Sequence, residues 1–151
     1  MSDLRDLYQE LILDHTKHPR NFGALENANC RADGHNPLCG DKLTVFLDVS
    51  NGVVKDARFQ GSGCAISTAS ASMMTESIKG KTRAEAETLF ERFHQMLTSP
   101  PDVEVQDAEE LGKLVVFSGV KEFPVRVKCA TLAWHTMNAA MRHEAEPVST
   151  E

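Results

Sequence analysis

The sequence predicts an α+β fold: a small antiparallel β-sheet, built on a hairpin with a third strand beside it, packed against helices. Three observations carry this. Leu43, Val45, Leu47 and Val49 alternate with Thr44, Phe46 and Asp48, which is strand periodicity. Asn51-Gly52 then gives a tight-turn signal before a returning run, Val53 to Phe59. Apolar residues at helical spacing mark both ends of the chain and the region after the hairpin.

Taken in order, Leu4, Leu7, Tyr8, Leu11 and Ile12 form the apolar stripe of an opening amphipathic helix. It should end near His15, ahead of Pro19 and Gly23. A polar loop or extended segment containing Cys30 runs to about Pro37. The hairpin follows, with Val53, Ala57 and Phe59 on one face of its second strand. Gly61 and Gly63 then turn the chain sharply into a helix over Ala65 to Lys79, whose Ile66, Ala69, Met73 and Met74 face the sheet. Thr82-Arg83-Ala84-Glu85 fits a capping box and opens a further helix with the stripe Ala86, Leu89, Phe90, Phe93 and Leu97. Pro100-Pro101 ends that helix. The acidic stretch Asp102 to Lys113 reads as a loop with one helical turn near Asp107 to Leu111, and Leu114 to Phe117 docks on the core. Pro124 stands at the first position of the last helix, where its missing N–H costs nothing. Val127, Ala130, Trp134, Met137 and Met141 mark that helix's buried side. Residues 1–151 read as one domain, with 144–151 expected as a frayed polar tail.

Composition narrows the function. Hydrophobic residues make up 41% and charged residues 25% of the 151, an ordinary globular balance. A net charge of −6 lacks the basic excess that nucleic-acid binding needs. No apolar run approaches a membrane span, and Met-Ser-Asp-Leu-Arg-Asp is no signal peptide. These features point to a cytoplasmic protein with neither nucleic acid nor membrane as partner. Four cysteines in a reducing compartment read as metal ligands or reactive thiols before disulfides.

Cys64 sits at the strand-to-helix elbow and Cys129 in the early turns of the last helix, where unpaired N–H groups favour a thiolate. Strand pairing brings the loop before the hairpin, with Cys39 and Asp41, to the same end of the sheet as Cys64. Three thiolates and a carboxylate can complete a tetrahedral site, and Zn2+ accepts both donor types. A metal or reactive-thiol site stands ahead of the alternative, three unrelated structural cysteines. Cys30 lacks such a setting and reads as structural. His35, four residues before Cys39, reads as a surface histidine, and the remaining histidines show no ligand spacing with the cysteines.

Asn36-Pro37-Leu38-Cys39-Gly40-Asp41, Gly63-Cys64-Ala65-Ile66-Ser67 and Arg126-Val127-Lys128-Cys129-Ala130-Thr131-Leu132 together resemble the IscU/NifU N-terminal-domain family. Tyr8, Ile12-Leu13-Asp14-His15 and Pro19-Arg20-Asn21 fit the same family's opening. Within it the chain is most similar to the SufU type: Lys128 precedes the third cysteine where scaffold-type members carry His, Arg126 stands two residues earlier, and the connection Pro100 to Gly119 is long. The resemblance implies a zinc protein of the SUF iron–sulfur assembly system, with Cys39, Asp41, Cys64 and Cys129 as ligands. It implies persulfide sulfur accepted on Cys39 from a PLP-dependent cysteine desulfurase of the SufS type, whose turnover is stimulated. The SUF scaffold complex would follow downstream. Arg126 and Lys128 read either as a solvated helix face or as charges that offset the negative ligands, with Arg126 steadying a displaced thiolate. The alternative reading is a scaffold on which a transient iron–sulfur cluster is assembled; a purely structural zinc domain is disfavoured by Asp41, since closed structural sites are mostly completed by Cys or His.

Overall fold

A computed structural model describes residues 2–100, 108–143 and 147–150. The elements are α1 (Ser2–Lys17), β1 (Cys30–Asn36), β2 (Asp41–Ser50), β3 (Val53–Ser62), α2 (Ala65–Ile78), α3 (Arg83–Thr98), α4 (Ala108–Leu111), a 3-10 helix (Gly112–Glu122), α5 (Pro124–Met141) and β4 (Val148–Ser149). The sheet order is β3-β2-β1-β4, with β1–β2 and β2–β3 antiparallel and β1–β4 parallel. The predicted α+β fold is thus observed, and α2 and α5 pack against the sheet and against each other.

The predicted third strand lies in the stretch that the sequence reads as a polar loop or extended segment. Its inward residues are Cys30, Ala32, Gly34 and Asn36, too small or polar to show a hydrophobic alternation. Their size has a cause: α5 lies so close that a Cβ on Gly34 would strike the Thr136 hydroxyl. A correction concerns the tail. Val148 and Ser149 pair with Gly34 and His35 as a short edge strand instead of fraying, and the Thr150 N–H donates to the His35 carbonyl at 3.2 Å. Residues 144–146 lie outside the described residues.

In the hairpin, Asn51 and Gly52 both take positive φ, as the predicted turn requires. The register slips between Asp48 and Val49, and this places Val54 instead of Val53 in the core. Phe46, on the outer face, is nevertheless buried, and the Arg31 guanidinium lies over its ring, 5.3 Å from the centroid. Helix α1 runs two residues past its predicted end. The Thr82 capping box is present, with Glu85 N–H bonded to the Thr82 hydroxyl and Thr82 N–H to the Glu85 carboxylate. After α4, the 3-10 helix docks Leu114, Val116, Phe117 and Val120, completing a core in which Trp134 stacks on Phe93 at 4.8 Å. The acidic stretch 101–107 lies outside the described residues.

A polar clamp joins α1 to α2. His15, 1% exposed, bonds through Nδ1 to Ser72 Oγ at 2.7 Å and faces Glu76 at 3.7 Å. Ser72 Oγ also accepts the Arg20 N–H at 2.8 Å. Burial, and then the Arg20 charge, push His15 below the ordinary imidazole range, against Glu76 and Asp14. His135, packed on Phe90, is pushed the same way by burial and by His94. The unfolded chain therefore takes up protons below the ordinary value of 6.5 that the folded chain refuses. This contribution to stability is complete above that value and is lost as pH falls through the lower folded value. The melting temperature should drop between pH 7 and pH 5.5, above the range in which carboxylates titrate, and drop less in His15→Gln. Equal slopes for the two proteins would exclude His15 as the source.

Candidate metal centre

One end of the sheet collects the candidate ligands. The β1–β2 turn, residues 37–40, carries Cys39 in an exposed position, with Gly40 at φ 73 permitting the reversal. Asp41 opens β2 and is fully buried. Cys64 caps α2: its sulfur accepts the Ser67 N–H at 3.4 Å. Cys129, 2% exposed, lies in the second turn of α5.

These side chains touch. Cys129 Sγ donates to Cys39 Sγ at 3.1 Å. Asp41 Oδ1 accepts the Cys64 N–H at 2.8 Å, and Cys64 Sγ lies 3.8 Å from Asp41 Oδ2. The donor atoms of Cys39, Asp41 and Cys129 all lie within 4.8 Å of one another. The structure therefore brings all four predicted residues together, three in one mutual cluster and Cys64 at its side.

The two glycines of the elbow serve different ends. Gly61 holds φ 135, and a Cβ there would run into the β2 backbone, 2.7 Å from Leu43 Cα. Gly63 has no such φ. It leaves space for a carboxylate, since a Cβ would stand 2.8 Å from Asp41 Oδ1. Gly63→Ala should displace Asp41 from the Cys64 N–H and destabilise the protein by about 1–3 kcal/mol, the range for a buried acceptor losing its partner. The check is the melting temperature together with metal bound per chain. A variant unchanged in both would show that the carboxylate can shift at no cost.

The electrostatics suit a cation. Burial pushes the Cys129 thiol far up, and the Cys39 bond, Cys64 and Asp41 all push the same way. A divalent ion among these groups would reverse that, because its charge outweighs the mutual repulsion of the ligands. Two thiols, a third beside them and a buried carboxylate make a soft-to-borderline donor set that fits Zn2+.

Other residues fall outside the cluster. Arg126 is exposed, and its guanidinium lies over the Phe123 ring, 4.7 Å from the centroid. It lines a cleft with Leu13, Ile66 and Val120, and it precedes Cys129 by one helical turn. His35 lies in β1, between β2 and the edge strand β4, and its backbone carbonyl accepts the Thr150 N–H. Cys30 is buried apart from the other thiols, its Sγ 3.9 Å from His143 Nε2, and burial raises its pKa. Asn36 is a contact that sequence reading missed. It is fully buried and donates from Nδ2 to Cys129 Sγ at 3.5 Å. The Asn-Pro pair, a turn-initiating dipeptide, was its signal in the sequence.

Comparison with known proteins identifies the family. Residues 7–143 match the family described as NifU-like N terminal domain. The chain is 41% identical to the zinc-dependent sulfurtransferase SufU of Bacillus subtilis, covering 95% of both chains. It is 37% identical to the iron–sulfur cluster assembly scaffold protein IscU of Streptococcus pyogenes, covering 96% of this chain and 89% of that one. The crystal structure of FiSufU from Fervidobacterium islandicum AW-1, described as an iron–sulfur cluster assembly scaffold protein for the SUF system, superposes with a TM-score of 0.80 at 37% identity, covering 87% of this chain and 94% of that one. With the motif-bearing loops, the sheet order and these matches in agreement, the chain belongs to the NifU-like N-terminal domain family, alongside SufU and IscU proteins of iron–sulfur cluster assembly.

Proposed function

We propose that this protein is a zinc-dependent sulfurtransferase of iron–sulfur cluster assembly, which accepts persulfide sulfur from a PLP-dependent cysteine desulfurase of the SufS type. The observation that carries the reading is the pairing of one exposed thiol with buried partners. Cys39 is on a turn open to solvent, while Asp41 and Cys129 behind it are buried. Cys39, Asp41, Cys64 and Cys129 would hold the metal. Bound Zn2+ would keep the thiols deprotonated at neutral pH without oxidising them.

The chain's own residues then divide the work. Cys129 and Cys64 are anchored in helices and stay in place. Cys39 can leave the cluster with its turn, and a thiolate freed from its partners is the stronger nucleophile. Its sulfur attacks the outer sulfur of the desulfurase persulfide. A new S–S bond forms on Cys39, the S–S bond on the donor breaks, and the donor cysteine leaves as thiolate. No net oxidation occurs. Arg126, one turn before Cys129, can swing from Phe123 to meet the displaced charge, since a guanidinium pairs with thiolate or carboxylate. We place this chemistry in the cytoplasm, where thiols stay reduced and a SUF scaffold complex could take the sulfur onward. Among the described residues, no helix is long and apolar enough to cross a membrane. We read the chain as a single domain.

A second reading, a scaffold for a transient iron–sulfur cluster, is favoured by the scaffold name of the S. pyogenes relative. Metal analysis of the purified protein and its visible spectrum separate the two. A zinc content near one per chain with no visible absorption supports the transferase. A brown, iron- and sulfide-containing protein supports the scaffold.

A further inference from the structure

One side chain joins the exposed thiol's turn to the buried thiol. Asn36 is the last residue of β1, fully buried, and paired across the sheet with Asp41. Its Nδ2 donates to Cys129 Sγ at 3.5 Å. Its Oδ1 accepts the Leu38 N–H at 3.2 Å, and its backbone carbonyl accepts the Cys39 N–H at 3.3 Å. The following proline holds Asn36 extended, which points the side chain back over the turn. Leu38 itself is 60% exposed, so no apolar burial of its side chain keeps the turn in place.

The geometry points to Asn36 as a positioning residue, a latch that holds the Cys39 turn against Cys129 and sets how readily Cys39 leaves it. This rests on reading Cys39 as the thiol that must move. The two ends of the amide have separate tasks. The oxygen holds the turn, and the N–H keeps the Cys129 sulfur oriented while the turn opens. Release of Cys39 breaks the Leu38 N–H bond to the side-chain oxygen and leaves the nitrogen side intact. A residue without an acceptor at this position would leave the turn loose and the thiol over-exposed.

Alkylation by iodoacetamide of the full-length protein as purified tests this, read cysteine by cysteine by peptide mass. In Asn36→Ala, Cys39 should react roughly fivefold faster than in the parent, the worth of one ordinary hydrogen bond. Asn36→Asp keeps the acceptor for the Leu38 N–H and loses the donor to sulfur, so its Cys39 should react no faster than the parent's. Buried Cys30 is the internal control and should react at the parent rate in both. Three results would overturn the latch: Cys39 unchanged in Asn36→Ala, both variants equally fast, or Cys30 accelerated in step with Cys39. Hydrogen exchange of the unaltered protein gives a check that needs no variant. The Leu38 and Cys39 amides, though on an exposed turn, should exchange at least roughly tenfold more slowly than free peptide. Exchange at the free-peptide rate would also overturn it. Neither experiment contains a desulfurase or reads sulfur transfer, so the latch and the proposed transfer can fail separately.

Discussion

Chelation of the metal should lower the melting temperature by roughly 10 °C, the effect of losing a ligand held about a thousandfold above its dissociation constant in a domain of this size. The expectation follows from where the ligands come from. Cys39 and Asp41 close the β1–β2 turn, Cys64 caps α2 and Cys129 belongs to α5, with Cys39 and Cys129 separated by 90 positions in sequence. A bound ion ties these segments together, and its binding energy to a preformed site adds to folding stability. Without it, burial and the neighbouring Cys39, Cys64 and Asp41 all disfavour a thiolate at Cys129. Differential scanning calorimetry before and after verified metal removal provides the check. Coincident melting curves would mean that packing of α2 and α5 on the sheet suffices.

Substitution of the thiols should separate chemistry from structure. Cys39→Ala should reduce sulfur acceptance to background while shifting the melting temperature by no more than about 3 °C, since a substitution at an exposed turn usually costs about 0.5 kcal/mol or less and two helix-anchored thiols with Asp41 can still hold the ion. Cys129→Ala should be the reverse case. It removes a buried sulfur bonded to both Asn36 and Cys39, and it should cost about 2–4 kcal/mol together with most of the bound metal. Metal content, melting temperature and acceptance of sulfur, measured on both variants, decide this. If Cys39→Ala retained acceptance, the exposed thiol would not be the nucleophile.

Much of this was legible in the sequence because the relevant signals are local. The Asn51-Gly52 turn fixed the hairpin, and the hairpin brought Asp41 beside Cys64. The Thr82 capping box and Pro124 marked helix starts that the structure reproduces. What escaped was set by tertiary packing. Strand β1 shows no apolar alternation because α5 presses on Gly34, so only small residues fit. Strand β4 depends on a partner edge more than a hundred residues earlier, which no local pattern reveals. Gly63 looked like a turn residue, and its role proved to be space for the Asp41 carboxylate. Asn36 was visible as the first residue of the Asn36 to Asp41 motif but without a role, although its contact with Cys129 ties the two parts of the site together.

The central claim is that Cys39 receives the sulfur. The direct measurement is to incubate the protein with a PLP-dependent cysteine desulfurase and L-cysteine, digest it under non-reducing conditions, and weigh each cysteine-containing peptide. One added sulfur atom is expected on the Cys39 peptide, absent when L-cysteine is omitted. Added sulfur on the Cys64 or Cys129 peptide with Cys39 unmodified, or no added sulfur while the desulfurase itself carries persulfide, would contradict it.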